Sequence, residues 1–287
     1  MRVLYSTLLA LSLLAAPAAA APIRIVAAEN FYGDIASQIG GAEVEVVSIL
    51  SNPDQDPHLF EASAQTAIAI AKADLIILNG ADYDPWMMKL LQASAVGSRR
   101  MINVGILTGA KPGANPHLWY DPKNVETLSA ALAAQLGEID PNGAARYRAN
   151  AVAFVETLAP LRAKIETMRL AYVGAPIVAS EPVFDYMAER LGLKLRDQRF
   201  ALAVMNNAEP SARDVAGFED DLTNHRVRAM LYNAQADEPA VRRLVEIARA
   251  QKIPVIGLSE TEPPGKTYSQ WMLGQLEALD SALGLKS

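Results

Sequence analysis

Apolar and polar positions alternate between two periods along most of the chain. Ile23 to Ala28 (I-R-I-V-A-A) reads as a β-type run. Phe31 to Ile39 then has helical spacing and stops at Gly40-Gly41. Val44 to Leu50 predicts a second strand, and the Ala/Ile-rich stretch Glu61 to Ala73 a helix. Leu75 to Leu78 (L-I-I-L), ended by Asn79-Gly80, is wholly apolar, as in strands buried on both faces of a parallel sheet. Pro85 to Ala93 predicts a helix and Met101 to Val104 a strand.

The middle of the chain differs. Between Gly143 and Leu170 the apolar residues Tyr147, Ala151, Phe154, Leu158, Leu161, Ile165 and Met168 are spaced alternately by four and three. That spacing predicts one long amphipathic helix, kinked at Pro160 because proline removes a backbone donor. The α/β rhythm then resumes. Strands are expected at Pro176–Ser180, Phe200–Val204, Arg228–Tyr232 and Pro254–Leu258. Helices are expected at Pro182–Leu191, from Ser211 onward with Asp214 as its capping partner, at Pro239–Ala250 and at Thr267–Leu283. The pattern predicts an α/β protein of two similar lobes with mainly parallel sheets, joined by one long helix. Residues 21–142 form the N-terminal lobe, 143–170 the linking helix and 171–287 the C-terminal lobe.

Residues 1–20 stand apart from this pattern. Arg2, the apolar run Val3–Ala16 and Pro17-Ala18-Ala19-Ala20 have the layout of a secretory signal peptide cut after Ala20. The apolar run is shorter than the ~20 residues of a spanning helix. The absence of Cys at the junction leads to the expectation of a free periplasmic protein with no lipid anchor.

Composition narrows the chemistry. The 287 residues include no Cys and three His, with 26 Lys plus Arg against 32 Asp plus Glu, a net charge of −6. Disulfides, thiolate metal sites and cysteine nucleophiles are thereby excluded, and the acidic balance argues against a nucleic-acid partner. Open α/β sheets bind ligands beyond the carboxyl ends of their strands. The segments following four predicted strands carry His58, His117, Glu181 and Glu260. Each has a bland alternative. Both histidines could be surface imidazoles, Asp121-Pro122 is a good helix start, Glu181 could complement a helix dipole, and Glu260 and Glu262 could be solvated. His225 reads as a helix-end residue without a role. The loop Asp54-Gln55-Asp56 lacks the Gly and distal Glu of a calcium loop. Taken together, two imidazoles and two carboxylates suit a borderline divalent metal such as Zn²⁺, Mn²⁺ or Fe²⁺ and balance its charge.

At these residues the chain resembles the periplasmic metal-binding proteins that serve ABC importers of zinc and manganese. The likeness is carried by D-P-H-L-F-E (Asp56–Glu61), A-D-L-I-I-L-N-G (Ala73–Gly80), N-P-H-L-W-Y-D-P (Asn115–Pro122), P-V-I-G-L-S-E-T (Pro254–Thr261) and Y-S-Q-W-M near the C-terminus. It implies two lobes around one rigid helix, metal in the crevice, and His58, His117, Glu181 and Glu260 as first to fourth ligands. It also implies Zn²⁺ or Mn²⁺ as cargo, an ABC permease with its ATPase as partner, a monomer and no enzymatic activity. The zinc branch usually has His where this chain has Glu181, and Asp where it has Glu260. The rival readings are a metal-dependent hydrolase, which would keep a water position open, a binder of a small organic solute, and an interaction protein with a vestigial site.

Overall fold

A computed structural model describes residues 21–285 except 56, 95, 96, 112 and 237, and leaves the side chain of His58 undescribed. The signal peptide expected at 1–20 lies outside the described residues. The N-terminal lobe runs β1 (Ile23–Glu29), α1 (Asn30–Gly40), β2 (Val44–Leu50), α2 (Ala64–Lys72), β3 (Leu75–Leu78), α3 (Pro85–Ala93), β4 (Arg100–Asn103), α4 (Val104–Thr108) and α5 (Pro122–Ile139). Next come α6 (Ala144–Thr157) and α7 (Ala159–Tyr172). The C-terminal lobe continues with β5 (Pro176–Ala179), α8 (Asp185–Leu191), β6 (Lys194–Arg196), α9 (Gln198–Met205), α10 (Ala212–Thr223), β7 (Met230–Asn233), α11 (Pro239–Ala250), β8 (Val255–Leu258) and α12 (Tyr268–Gly284).

Both sheets are parallel and have the same layout. Strand order is β2-β1-β3-β4 in one and β6-β5-β7-β8 in the other. The two similar lobes expected from the sequence are thus present. In each, the chain reverses direction of winding beside the first strand, and a crevice opens there at the carboxyl ends.

Two expectations are corrected. The single helix over 143–170 is two helices meeting at Leu158. Pro160 cannot donate to the carbonyl four residues back. The Leu158 amide turns instead to Val155, and the ladder resumes with Arg162 bonding Leu158. The predicted apolar stripe survives the break, with Tyr147, Phe154, Leu158, Leu161 and Met168 all buried. Helix α6 packs on α1 and α5, whereas α7 packs on α8 and α12, so the pair spans the lobes.

The second correction is Phe200–Val204, expected as a strand and found inside α9. Phe200, Ala201 and Val204 are buried while Leu202 faces out, a helical rather than alternating pattern. The strand of that region is the short β6, whose charged ends gave little apolar signal. Helix α5 begins where Asp121-Pro122 suggested, with the Asp121 side chain accepting from the Lys123 amide. The Ser211 cap is likewise present, its hydroxyl accepting from the Asp214 amide.

One apolar core is shared by the two lobes. It runs from Ile25 and Ile77 through Phe31, Trp119, Tyr120 and Trp271 to Phe184, Leu231 and Leu258. Phe31 stacks on Trp119 at 4.6 Å between ring centres. Helix α12 returns to the N-terminal lobe, where the Tyr268 amide donates to Asp34 and its hydroxyl to the Trp119 carbonyl. A continuous core makes relative movement of the lobes expensive, since it would expose close-packed aromatic surface.

Candidate metal centre

The crevice is built by residues that end strands. After β3, the chain turns through Gly80, Ala81 and Asp82, all with φ between 49° and 68°. At Gly80 a Cβ would stand 2.2 Å from Asn103 Oδ1, so the close approach requires glycine. The Asp84 carboxylate secures this turn by accepting the amides of Asn79 and Gly80 at 2.7 and 2.8 Å. The turn delivers Tyr83 into the crevice.

His117 lies in the segment between α4 and α5 and is fully buried. Its Nδ1 lies 2.6 Å from Asn115 Oδ1, which also accepts the His117 amide at 3.0 Å. Nδ1 is therefore the donor to Asn115, which fixes the ring's orientation and turns Nε2 towards Glu260. The other end of the Asn115 side chain donates to the Pro182 carbonyl at 2.5 Å, next to Glu181. One amide thereby orients an imidazole of the first lobe and grips the second.

Glu260 lies just after β8 and is also fully buried. Its Oε1 accepts from Asn233 Nδ2 at 2.5 Å. Its Oε2 accepts from the Tyr83 hydroxyl at 2.8 Å and lies 3.2 Å from His117 Nε2. Burial first, and then the Glu260 charge, holds the Tyr83 proton on well above the usual phenol range, keeping Tyr83 a donor.

Glu181 is reached from β5 through Ser180 and is 4% exposed. Ser180 Oγ accepts the Asn233 amide, so Glu181 stands at the same strand-end level as the residues that hold Glu260. The backbone of His58 lies in a one-turn 3₁₀ helix, Pro57–Leu59, after β2. Of the four residues singled out from the sequence, the structure thus brings His117 and Glu260 together and buries Glu181 at the crevice. Among the described residues, no group of three His, Asp or Glu is gathered as a metal site. His225 sits past α10 and lines a surface hollow with Gln251 and Lys252, at the opposite end of the C-terminal sheet.

Sequence reasoning passed over Tyr83, Asn115, Asn233 and Gln235 as working residues. Tyr83 and Asn233 occupy the carboxyl ends of β3 and β7. That is the same strand-end placement that marks His58, His117, Glu181 and Glu260, so the signal for both was present in the sequence.

The family described as zinc-uptake complex component A, periplasmic, matches residues 25–282. The iron-binding protein YfeA of Yersinia pestis is 31% identical over 180 residues. That match spans 60% of this chain and 57% of YfeA's own length. The manganese-binding lipoprotein MntA of Bacillus subtilis is 24% identical over 79% of this chain and 76% of its own. Among solved structures, the periplasmic zinc-binding protein TroA from Treponema pallidum is similar with a TM-score of 0.78 and 19% identity, covering 92% of this chain and 100% of that one. These relatives overturn the expectation of a protein without a lipid anchor. MntA and the streptococcal relatives are named lipoproteins. An extracytoplasmic place fits all of them, whereas freedom from an anchor does not.

Proposed function

The chain belongs to the family of periplasmic A components of zinc-uptake complexes, and on that premise we propose that it captures a divalent transition metal and hands it to an ABC importer. The cargo is Zn²⁺ or Mn²⁺, and the receiving partner is a membrane permease with its ATPase. His58, His117, Glu181 and Glu260 are the proposed ligands. The observation that carries this reading is the buried contact between His117 Nε2 and Glu260 Oε2, 3.2 Å apart and drawn from opposite lobes. Each is already oriented by neighbours: His117 Nδ1 by Asn115, and the two Glu260 oxygens by Tyr83 and Asn233. Outer hydrogen bonds of this kind fix the orientation of metal ligands and leave the inner atoms to converge on the ion.

The function requires no chemical transformation of the cargo. Nitrogen and carboxylate oxygen suit the metals for which the relatives are named. Those names lend nothing to a hydrolase or to a receptor for an organic solute. Both imidazoles ligate as neutral bases, so capture weakens in acid. Titration calorimetry with Zn²⁺ and with Mn²⁺ tests the assignment. His58→Ala and His117→Ala should each lose affinity for the metal that the wild type binds. Wild-type affinity in both variants would refute the site.

A further inference from the structure

The two lobes are linked at the crevice by amide side chains, and one of these has a position that the metal site does not by itself require. Gln235 lies just after β7. Its Oε1 accepts the amides of Glu260 at 2.5 Å and Thr261 at 3.1 Å. Its Nε2 donates to Thr261 Oγ1 at 2.9 Å and, across the crevice, to the Gln55 carbonyl at 3.0 Å. Its own amide donates to Asn233 Oδ1, on the residue whose Nδ2 holds the Glu260 carboxylate. Both acceptor sites and both donors of the side chain are therefore in use.

The far end of this link is the segment that follows β2. Ser51, Asn52 and Asp54 are exposed. The bonds within that segment are local, Asp54 amide to Asn52 Oδ1 and Gln55 amide to the Asn52 carbonyl. Three residues after Gln55 comes His58. The near end is the loop that carries Glu260, pinned on its other side by Asn30. The Asn30 side chain donates to the Glu262 carbonyl at 2.7 Å and accepts the Glu262 amide at 3.0 Å. The Glu260 loop is thus the fixed member, and the His58 loop is the member that Gln235 ties to it.

We propose that Gln235 is a positioning residue that couples the loop bearing His58 to the loop bearing Glu260, so that ligands from the two lobes are held, and let go, together. This rests on the metal-site reading above. With the shared core restraining the lobes, release proceeds through loop movement, and the Gln235–Gln55 bond is a contact that breaks when the His58 loop lifts.

Two variants divide the side chain's roles. Gln235→Met keeps the length and loses every side-chain hydrogen bond. Gln235→Glu keeps the acceptors for the Glu260 and Thr261 amides but cannot donate to the Gln55 carbonyl. Dissociation of Zn²⁺ and of Mn²⁺ is timed by stopped-flow mixing with excess chelator, on full-length protein whose metal-free melting temperature is recorded alongside. Of the four side-chain hydrogen bonds lost in Gln235→Met, the one to the Gln55 carbonyl joins the two loops, and losing that one predicts release about ten-fold faster. Gln235→Glu should also release faster, even though a new negative charge beside a cation would by itself slow release. Release from Gln235→Glu at or below the wild-type rate would overturn the coupling, as would unchanged release from Gln235→Met. His117→Ala separates the two levels. If His117→Ala binds as the wild type does, the metal site is misplaced and the coupling falls with it. If His117→Ala loses the metal while both Gln235 variants release it at the wild-type rate, the site stands and the coupling alone is refuted.

Discussion

Glu29 ends β1, 1% exposed, with its carboxyl group beside that of the buried Asp84. Burial first, and then the charge of neighbouring Asp84, holds its proton on well above the ordinary carboxyl range. Asp84 is also buried and is pushed up to about 6, since burial outweighs the backbone amides that favour its charge. In the unfolded chain both groups titrate in the ordinary range near 4. A carboxyl whose folded pKa is raised binds more protons folded than unfolded. Its stability is fully present below the unfolded pKa and is lost as pH rises towards the folded one. The Asp84 contribution is lost as pH rises through about 6. Glu29, raised further, goes on losing its contribution as pH climbs towards its own folded pKa. Glu29→Gln preserves volume and removes the titration. The stability difference between variant and wild type should therefore grow as pH rises above the ordinary carboxyl range, on top of any constant offset from the new amide. Urea denaturation of the metal-free protein at a series of pH values, followed by tryptophan fluorescence, measures this difference. A difference that stays flat with pH would refute a protonated Glu29.

Three further outcomes are expected. Tyr83→Phe removes the 2.8 Å bond to Glu260 Oε2 and should weaken metal binding by about 10–100-fold; calorimetric affinity equal to wild type would show that Glu260 is oriented without it. Trp119→Ala empties the centre of the shared core beneath Phe31 and should cost about 3–5 kcal/mol in chemical denaturation, a smaller loss meaning that the two lobes pack independently. Small-angle scattering should give the same radius of gyration, about 18 Å for a compact chain of this length, with and without metal. A contraction of more than roughly 1 Å on loading would contradict lobes held by a common core.

Much of the architecture was written locally. Val44–Leu50, Leu75–Leu78 and Pro239–Ala250 have the bounds that their patterns predicted, because periodicity encodes which face of a single element is buried. The two-lobe plan came from the same rhythm recurring twice along the chain. The break at Leu158 and the helix at Phe200 escaped it. A proline two residues on decides the first only through the backbone bonds it removes, and the second depends on which neighbours cover Phe200 and Val204.

For the site, the sequence by itself supplied residue types: two imidazoles, several carboxylates and no thiol, all near strand ends. Which of them meet was decided by the tertiary structure. His117 and Glu260 are 143 residues apart and converge because β4 and β8 belong to sheets packed on one aromatic core. The amides Asn115 and Gln235, which help to orient them, are indistinguishable in sequence from solvated loop residues, and Asn233 shows only its place at a strand end. Hydrogen-bond partnership has no period along the chain, and it is fixed only when the lobes bring those loops together.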